Sequence, residues 1–218
     1  MQATTHREAG SAQASVVRHL LMDRLLHWCM AVAVVVLLVT AFLPIMGIKF
    51  AWVTLHWATG LLLLIALCWH VIRSMVAKPS GLMLLGRKDL RDAMADFAWF
   101  MRWRDQTPGK PGKYSAAQKL MHHSVSLFVI TTVVTGLLMM VKIDTPLWKR
   151  DPYWLSDTLW GFIYILHDLA ALSLITIIMI HIYFALRPEK RCYTRSMIRG
   201  WLTRTEYLRH HDPEKWRE

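Results

Sequence analysis

Four long apolar runs constrain this chain more than any other feature, at approximately 25–46, 52–76, 119–141 and 159–186. A hydrocarbon core of ~30 Å takes ~20 helical residues to cross. Inside lipid every backbone N–H and C=O needs an internal partner, which only helices or closed barrels supply. These runs are too long and too uniformly apolar to be barrel strands. The predicted fold is an all-α membrane protein, a bundle of four transmembrane helices. Its 218 residues suffice for one domain. The expected organisation is a polar N-terminal extension (1–20), the four-helix domain (21–186) and a basic C-terminal tail (187–218). The opening MQATTHREAGSAQASVVRHL has no compact basic start, apolar stretch and small-residue cleavage site. The first run therefore reads as a retained anchor.

Charge sets the orientation. The chain is 55% hydrophobic and only 19% charged, yet carries a net charge of +11. A nucleic-acid binder would also be basic, but would not carry such spans. Lys and Arg concentrate in 1–24, 77–118 and 187–218. The other two connections hold Lys49, and Lys142, Lys149 and Arg150, the last three offset by Asp144, Asp151 and Asp157. The positive-inside rule places both termini and the 77–118 connection in the cytoplasm. Trp52, Trp148, Tyr153, Trp154 and Trp160 cluster toward the opposite side, as an interfacial aromatic belt would. DLRDAMADFAWFMRW (89–103) has the spacing of a short amphipathic helix on the cytoplasmic face. The Pro- and Gly-bearing TPGKPGKYSAAQK then forms a loop into the third span.

The chemistry lies in histidine. The three cysteines, Cys29, Cys68 and Cys192, form no CxxC or CxxCH. No catalytic triad, phosphate loop or carboxylate cluster is present. Of 11 histidines, His27, His56, His70, His122, His123, His167 and His181 fall in or at the ends of the spans. Ionisable groups are expensive there and mark function. In HDLAALSLITIIMIH (167–181), fourteen residues of helix rise about 21 Å and turn about 1400°. His167 and His181 thus share one face of the fourth span near opposite membrane boundaries. His56 and His70 repeat that spacing on the second span. By depth, His56 matches His167 on the outer side; His27, His70 and His181 lie on the inner side.

Imidazoles paired from facing helices at one depth fill both axial positions of a b-type haem iron, which suits electron transfer over oxygen binding. A helical bundle supplies the ligands, the spacing and an apolar shell. His56 pairs with His167 on depth. His181 has two partners to choose from, His27 and His70, with His122 and His123 as further candidates. Pairing His56 with His167 and His70 with His181 would make a four-histidine carrier, like cytochrome b561-type or ferric-reductase-type proteins. A non-redox membrane anchor is the remaining alternative.

LMDRLLHW (21–28), TLHWATG (54–60), GKYSAAQKLM (112–121) and the HX13H of the fourth span occur in that order. Together they resemble the membrane cytochrome b (gamma) subunit of respiratory formate dehydrogenases, a family related to the hydrogenase cytochrome b subunits. The resemblance covers about 20 to 216 and marks a divergent member. It implies a bacterial inner-membrane subunit of a respiratory chain with two b haems, an electron-transfer subunit whose own chemistry is at most the reduction of quinone. Such a subunit takes electrons from a periplasmic iron–sulfur and catalytic module and delivers them to quinone near the cytoplasmic side. It further implies His27 with His181 as the inner haem ligands and His56 with His167 as the outer ones. The family's quinone site lies at the loop opening the third span, where its Asn-Ala-Gly-Gln corresponds to Ser115-Ala116-Ala117-Gln118. Ser115, Ala117 and Gln118 are thereby the expected quinone-site residues. Trp57 stands where a Pro often follows the helix-two histidine, and Asp168 where a small apolar residue is usual.

Overall fold

Each expected span is one continuous helix in the computed structural model of the chain, which describes residues 15–76, 83–103, 105 and 109–217. The first strand β1 (Ser15–Val17) precedes α1 (Leu21–Ile45) and α2 (Trp52–Val76). A shorter helix α3 (Arg87–Phe100) separates these from α4 (Ala116–Met140) and α5 (Asp157–Leu186). A 3₁₀ turn (Pro188–Lys190), α6 (Arg191–Arg199), β2 (Trp201–Thr203) and α7 (Arg204–His210) complete the order. Among the described residues, α1, α2, α4 and α5 are the four helices long and apolar enough to cross a membrane. Most of the expected N-terminal extension (1–14), with Lys78, Arg104, Thr107 and Pro108, lies outside the described residues.

Helices α1, α4 and α5 start two to four residues earlier than hydropathy alone suggests, while α2 starts at Trp52 as expected; a side-chain cap sets the start of α4. At α4, the Ser115 N–H donates to Gln118 Oε1 (3.0 Å), and the Gln118 N–H donates to Ser115 Oγ (3.3 Å). This is a capping box, two orphan donors satisfied reciprocally. At α5, the Ser156 carbonyl accepts from the Trp160 N–H at 3.0 Å. At the end of α1, Gly47 has φ +87°, its N–H reaches the Pro44 carbonyl (3.0 Å), and the Ile48 N–H reaches Leu43 (3.1 Å). That is a Schellman ending, which needs a residue tolerant of positive φ.

The chain divides into two compact units. The first comprises the described residues of Leu26–Lys78 and Ser124–Ile180. Its core joins Ala33 and Val34 of α1, Leu63 of α2, Val129 of α4 and Leu174 of α5, ringed by Leu37, Leu67, Phe128 and Ile178. Val32, Ile65, Phe162 and Ile165 are exposed, as side chains facing lipid are. The 142–158 connection is tied down by two indoles: Trp148 Nε1 donates to the Met140 carbonyl (3.0 Å) and Trp160 Nε1 to Pro152 (3.1 Å). The Lys142 ammonium lies 5.0 Å from the Trp160 ring centre. Tyr153, 91% exposed, and Trp154 face outward from the same connection.

The second unit comprises the described residues of Met1–Leu25, Pro79–His123 and His181–Glu218. Residues 187–217, expected as a basic tail, are folded here. Strand β2 pairs antiparallel with β1, in the register Val16↔Leu202. Val16, Cys192, Leu202, Tyr207 and Trp216 form its core. Thr203 and Glu206 close a capping box on α7, and Glu206 also pairs with Arg195. Gly200 ends α6 at φ +96°, and its carbonyl accepts the N–H groups of Arg18 (2.8 Å) and His19 (3.1 Å). The amphipathic α3 exposes Leu90, Met94 and Phe97 on one stripe and is tied to α4 by the Asp89–Lys119 ion pair (2.8 Å).

Candidate functional site

Helix α2 places His56 in its second turn, and α5 places His167 in its third. Their half-buried rings face each other with centroids 6.5 Å apart and planes at 65°. Each ring is held from behind by a threonine of a third or fourth helix. Thr40 Oγ1 of α1 lies 2.8 Å from His56 Nδ1, and Thr135 Oγ1 of α4 lies 2.8 Å from His167 Nδ1. The threonines are 1% and 4% exposed. All four spans therefore contribute one residue each to a single constellation.

The donor set can be tested against a metal. Two imidazoles bound to one ion by bonds of ~2 Å place their ring centres about 6 Å apart. The observed separation of 6.5 Å fits that sandwich. The Nδ1 atoms face their threonines, so the Nε2 atoms are the ones left to ligate. Among the described residues no three His, Cys, Asp or Glu gather as a protein-only metal cage would require. Two imidazole nitrogens alone would suit a haem, whose porphyrin would supply the iron's remaining ligands.

The other expected residues are placed as follows. His27 stands half-buried on α1, edge-on to Trp28 with ring centres 5.2 Å apart. His70 is half-buried on α2, in the same unit. His181, on α5, falls in the second unit. His122 and His123 lie 5.5 Å apart, and His123 Nε2 is 2.8 Å from the Met83 carbonyl, a bond that commits that nitrogen to the fold. Ser115 and Gln118 cap α4, and Ala117 is exposed beside them. Asp168 is exposed on α5, next to His167. Thr40 and Thr135 escaped the sequence analysis. A threonine inside a span reads as an apolar position whose hydroxyl bonds its own helix. The available signal was depth: Thr40 lies five residues before the end of α1 and His56 four after the start of α2, near one membrane boundary.

Comparison with known proteins adds the identity of the group. The family model described as prokaryotic cytochrome b561 matches residues 18–200. The chain is 23% identical to the formate dehydrogenase cytochrome b556 subunit of Haemophilus influenzae, over 95% of this chain and 85% of that protein. It is 31% identical to the cytochrome b556(fdo) subunit of Escherichia coli formate dehydrogenase, over 50% of this chain and 47% of that one. To the nitrate-inducible b556(Fdn) subunit of E. coli it is 23% identical, over 95% and 93%. The four spanning helices, the facing histidines and the family match converge: the chain belongs to the prokaryotic cytochrome b561 family, as a multi-pass membrane electron carrier with b-type haem.

Proposed function

We propose that this protein is the membrane cytochrome b subunit of a respiratory dehydrogenase of the formate dehydrogenase type. It would accept electrons from an iron–sulfur and catalytic module on the periplasmic side and deliver them to quinone on the cytoplasmic side. The observation that carries the reading is the facing of His56 and His167, with rings spaced for one iron. The similarity to three formate dehydrogenase cytochrome subunits supports the partner class. Bound b haem supplies one-electron carriers within a layer that side chains alone cannot cross.

Everything else in the proposal is done by the chain. His56 and His167 hold the first haem; His27 and His181, on the family resemblance, hold the second. Leu63, Val129 and Leu174 keep water from the helix interior. Gln118 Oε1 is committed to the Ser115 N–H, so Gln118 offers a quinone carbonyl its amide hydrogens. Ser115 and Ala117 complete that turn. The basic surplus of 77–118 and 187–218 supports a cytoplasmic location for both termini in a bacterial inner membrane. Protons for quinol would be drawn from that side. Inward electron movement across the membrane then stores ~2.3 kcal/mol per charge per 100 mV.

A reduced-minus-oxidised spectrum with a haemochrome count per polypeptide tests this. Two b haems are expected, falling to one in His56→Ala and His167→Ala. His27→Ala should likewise lose one, and His70→Ala none. A protein without a b-type alpha band would end the proposal. Retention of both haems in His27→Ala with loss in His70→Ala would give the four-histidine arrangement instead.

A further inference from the structure

We infer that Thr40 and Thr135 are positioning residues that fix the tautomer of His56 and His167, so that both rings present an unprotonated Nε2 to one iron. The inference rests on the reading of those histidines as axial ligands and adds what prepares them.

The number of protons available decides the direction of both bonds. Thr40 Oγ1 lies 2.9 Å from the Val36 carbonyl oxygen and 3.0 Å from that of Leu37. Thr135 Oγ1 lies 2.6 Å from the Thr131 carbonyl oxygen. A carbonyl only accepts, and a hydroxyl has one proton to give. Both hydroxyl protons are therefore spent on the backbone. What each hydroxyl turns toward the imidazole, at 2.8 Å, is a lone pair. The histidine donates, so Nδ1 carries the ring proton; the Leu37 and Thr132 carbonyls accept from the same two rings, and each hydroxyl is the second acceptor behind its imidazole. A neutral imidazole protonated at Nδ1 has its free pair on Nε2. The ligating atom is selected before any metal arrives.

The arrangement is the same on both sides of the pair. Helix α1 serves the ligand of α2, and α4 serves the ligand of α5. Back-bonding to the helix is ordinary for threonine: Thr131 does it from a half-buried position and Thr176 from an exposed one. Thr40 and Thr135 do it while nearly fully buried, each against a histidine. A metal-bound histidine typically has such a partner on its other nitrogen, often a carboxylate or a carbonyl. A neutral hydroxyl orients the ring while lending it little negative charge. Losing it weakens electron donation from the imidazole, favours the ferrous state and raises the reduction potential.

The test uses the full chain in its membrane with its native partner subunits. Thr40→Val and Thr135→Val remove the hydroxyl at nearly constant shape; Thr40→Ser and Thr135→Ser restore it. Haem content, the midpoint potential from the alpha band and the low-spin EPR g values are read together. Each Val variant is expected to shift one haem component to higher potential and change its g values. The Ser variants should match the parent. If a Val variant loses haem while its Ser counterpart keeps it, the hydroxyl requirement stands. Unchanged potentials and g values at full haem content in both Val variants would overturn the inference. Equal haem loss in Val and Ser variants would also overturn it, since packing and not the bond would then be at stake. His56→Ala and His167→Ala separate the two levels. If they keep every haem, the ligand reading fails; if they lose one while the Val variants are silent, only the threonine role fails.

Discussion

Arg18 and His211 meet from positions 193 residues apart in sequence, with 2.8 Å between an Arg18 terminal nitrogen and His211 Nε2. Arg18 is 2% exposed, and its guanidinium also donates to the Lys113 carbonyl (3.1 Å) and stacks over Tyr193 (4.4 Å). His211 Nδ1 donates to the Gly112 carbonyl at 2.7 Å, so its Nε2 must accept from the arginine. The ring is neutral in the fold. Burial first, and then the Arg18 charge, hold its pKa at about 4 against an ordinary 6.5. Below 6.5 the unfolded histidine takes a proton that the folded one refuses until about 4. The stabilising contribution is therefore whole above 6.5 and declines as pH falls through that window. Thermal melts followed by tryptophan fluorescence should lose stability between pH 6.5 and 4, with a flatter slope in His211→Gln. In the sequence Arg18 is one more charge of the basic 1–24 segment, and no motif singles out His211. Nothing local marks either one, because their burial is created by the pairing of distant strands.

Helix ends make the second level, and there the chain's chemistry is local. Removing the Ser115 hydroxyl in Ser115→Ala should cost about 1 kcal/mol through the lost cap, measured as earlier thermal unfolding. Quinone reduction would report separately on any role of that turn in binding. Gly200 is more demanding. A Cβ there would stand 3.0 Å from the His19 carbonyl oxygen and 3.2 Å from the Arg24 guanidinium carbon, at φ +96°. Gly200→Ala is expected to cost about 1–3 kcal/mol and to open the β1–β2 junction to protease. The four spans were readable to within a few residues, since their lengths and hydropathy leave no other fold in lipid. The start of α2 was readable too; that of α4 was not, because a capping side chain and not an apolar residue decides it. The 187–217 segment was readable as basic but not as folded: its core rests on Val16, supplied from the other end of the chain.

At the scale of the molecule, four spans with largely exposed apolar flanks define a membrane protein, and the proposed orientation rests on its charges. A phosphatase reporter fused after Glu218 should be inactive, and one inserted at Tyr153 active, with a fluorescent-protein reporter giving the reverse. The opposite pattern would invert the proposed direction of electron flow. On the proposed function, a periplasmic partner would dock on the 142–158 connection, where Tyr153 and Trp154 are exposed. Tyr153→Ala with Trp154→Ala should leave haem content intact and reduce co-purification of the iron–sulfur subunit.

Length, hydropathy and the placing of Lys and Arg were enough for the four helices and their expected direction, because a bilayer penalises every unsatisfied backbone group and every misplaced charge. Histidine spacing was enough to propose ligands, because a helix has a fixed rise and turn. Neither could show that His56 faces His167 across 6.5 Å, or that Thr40 and Thr135 stand behind them. Those contacts join four different helices. Which face each helix turns inward is settled by packing, and packing is a property of all four together.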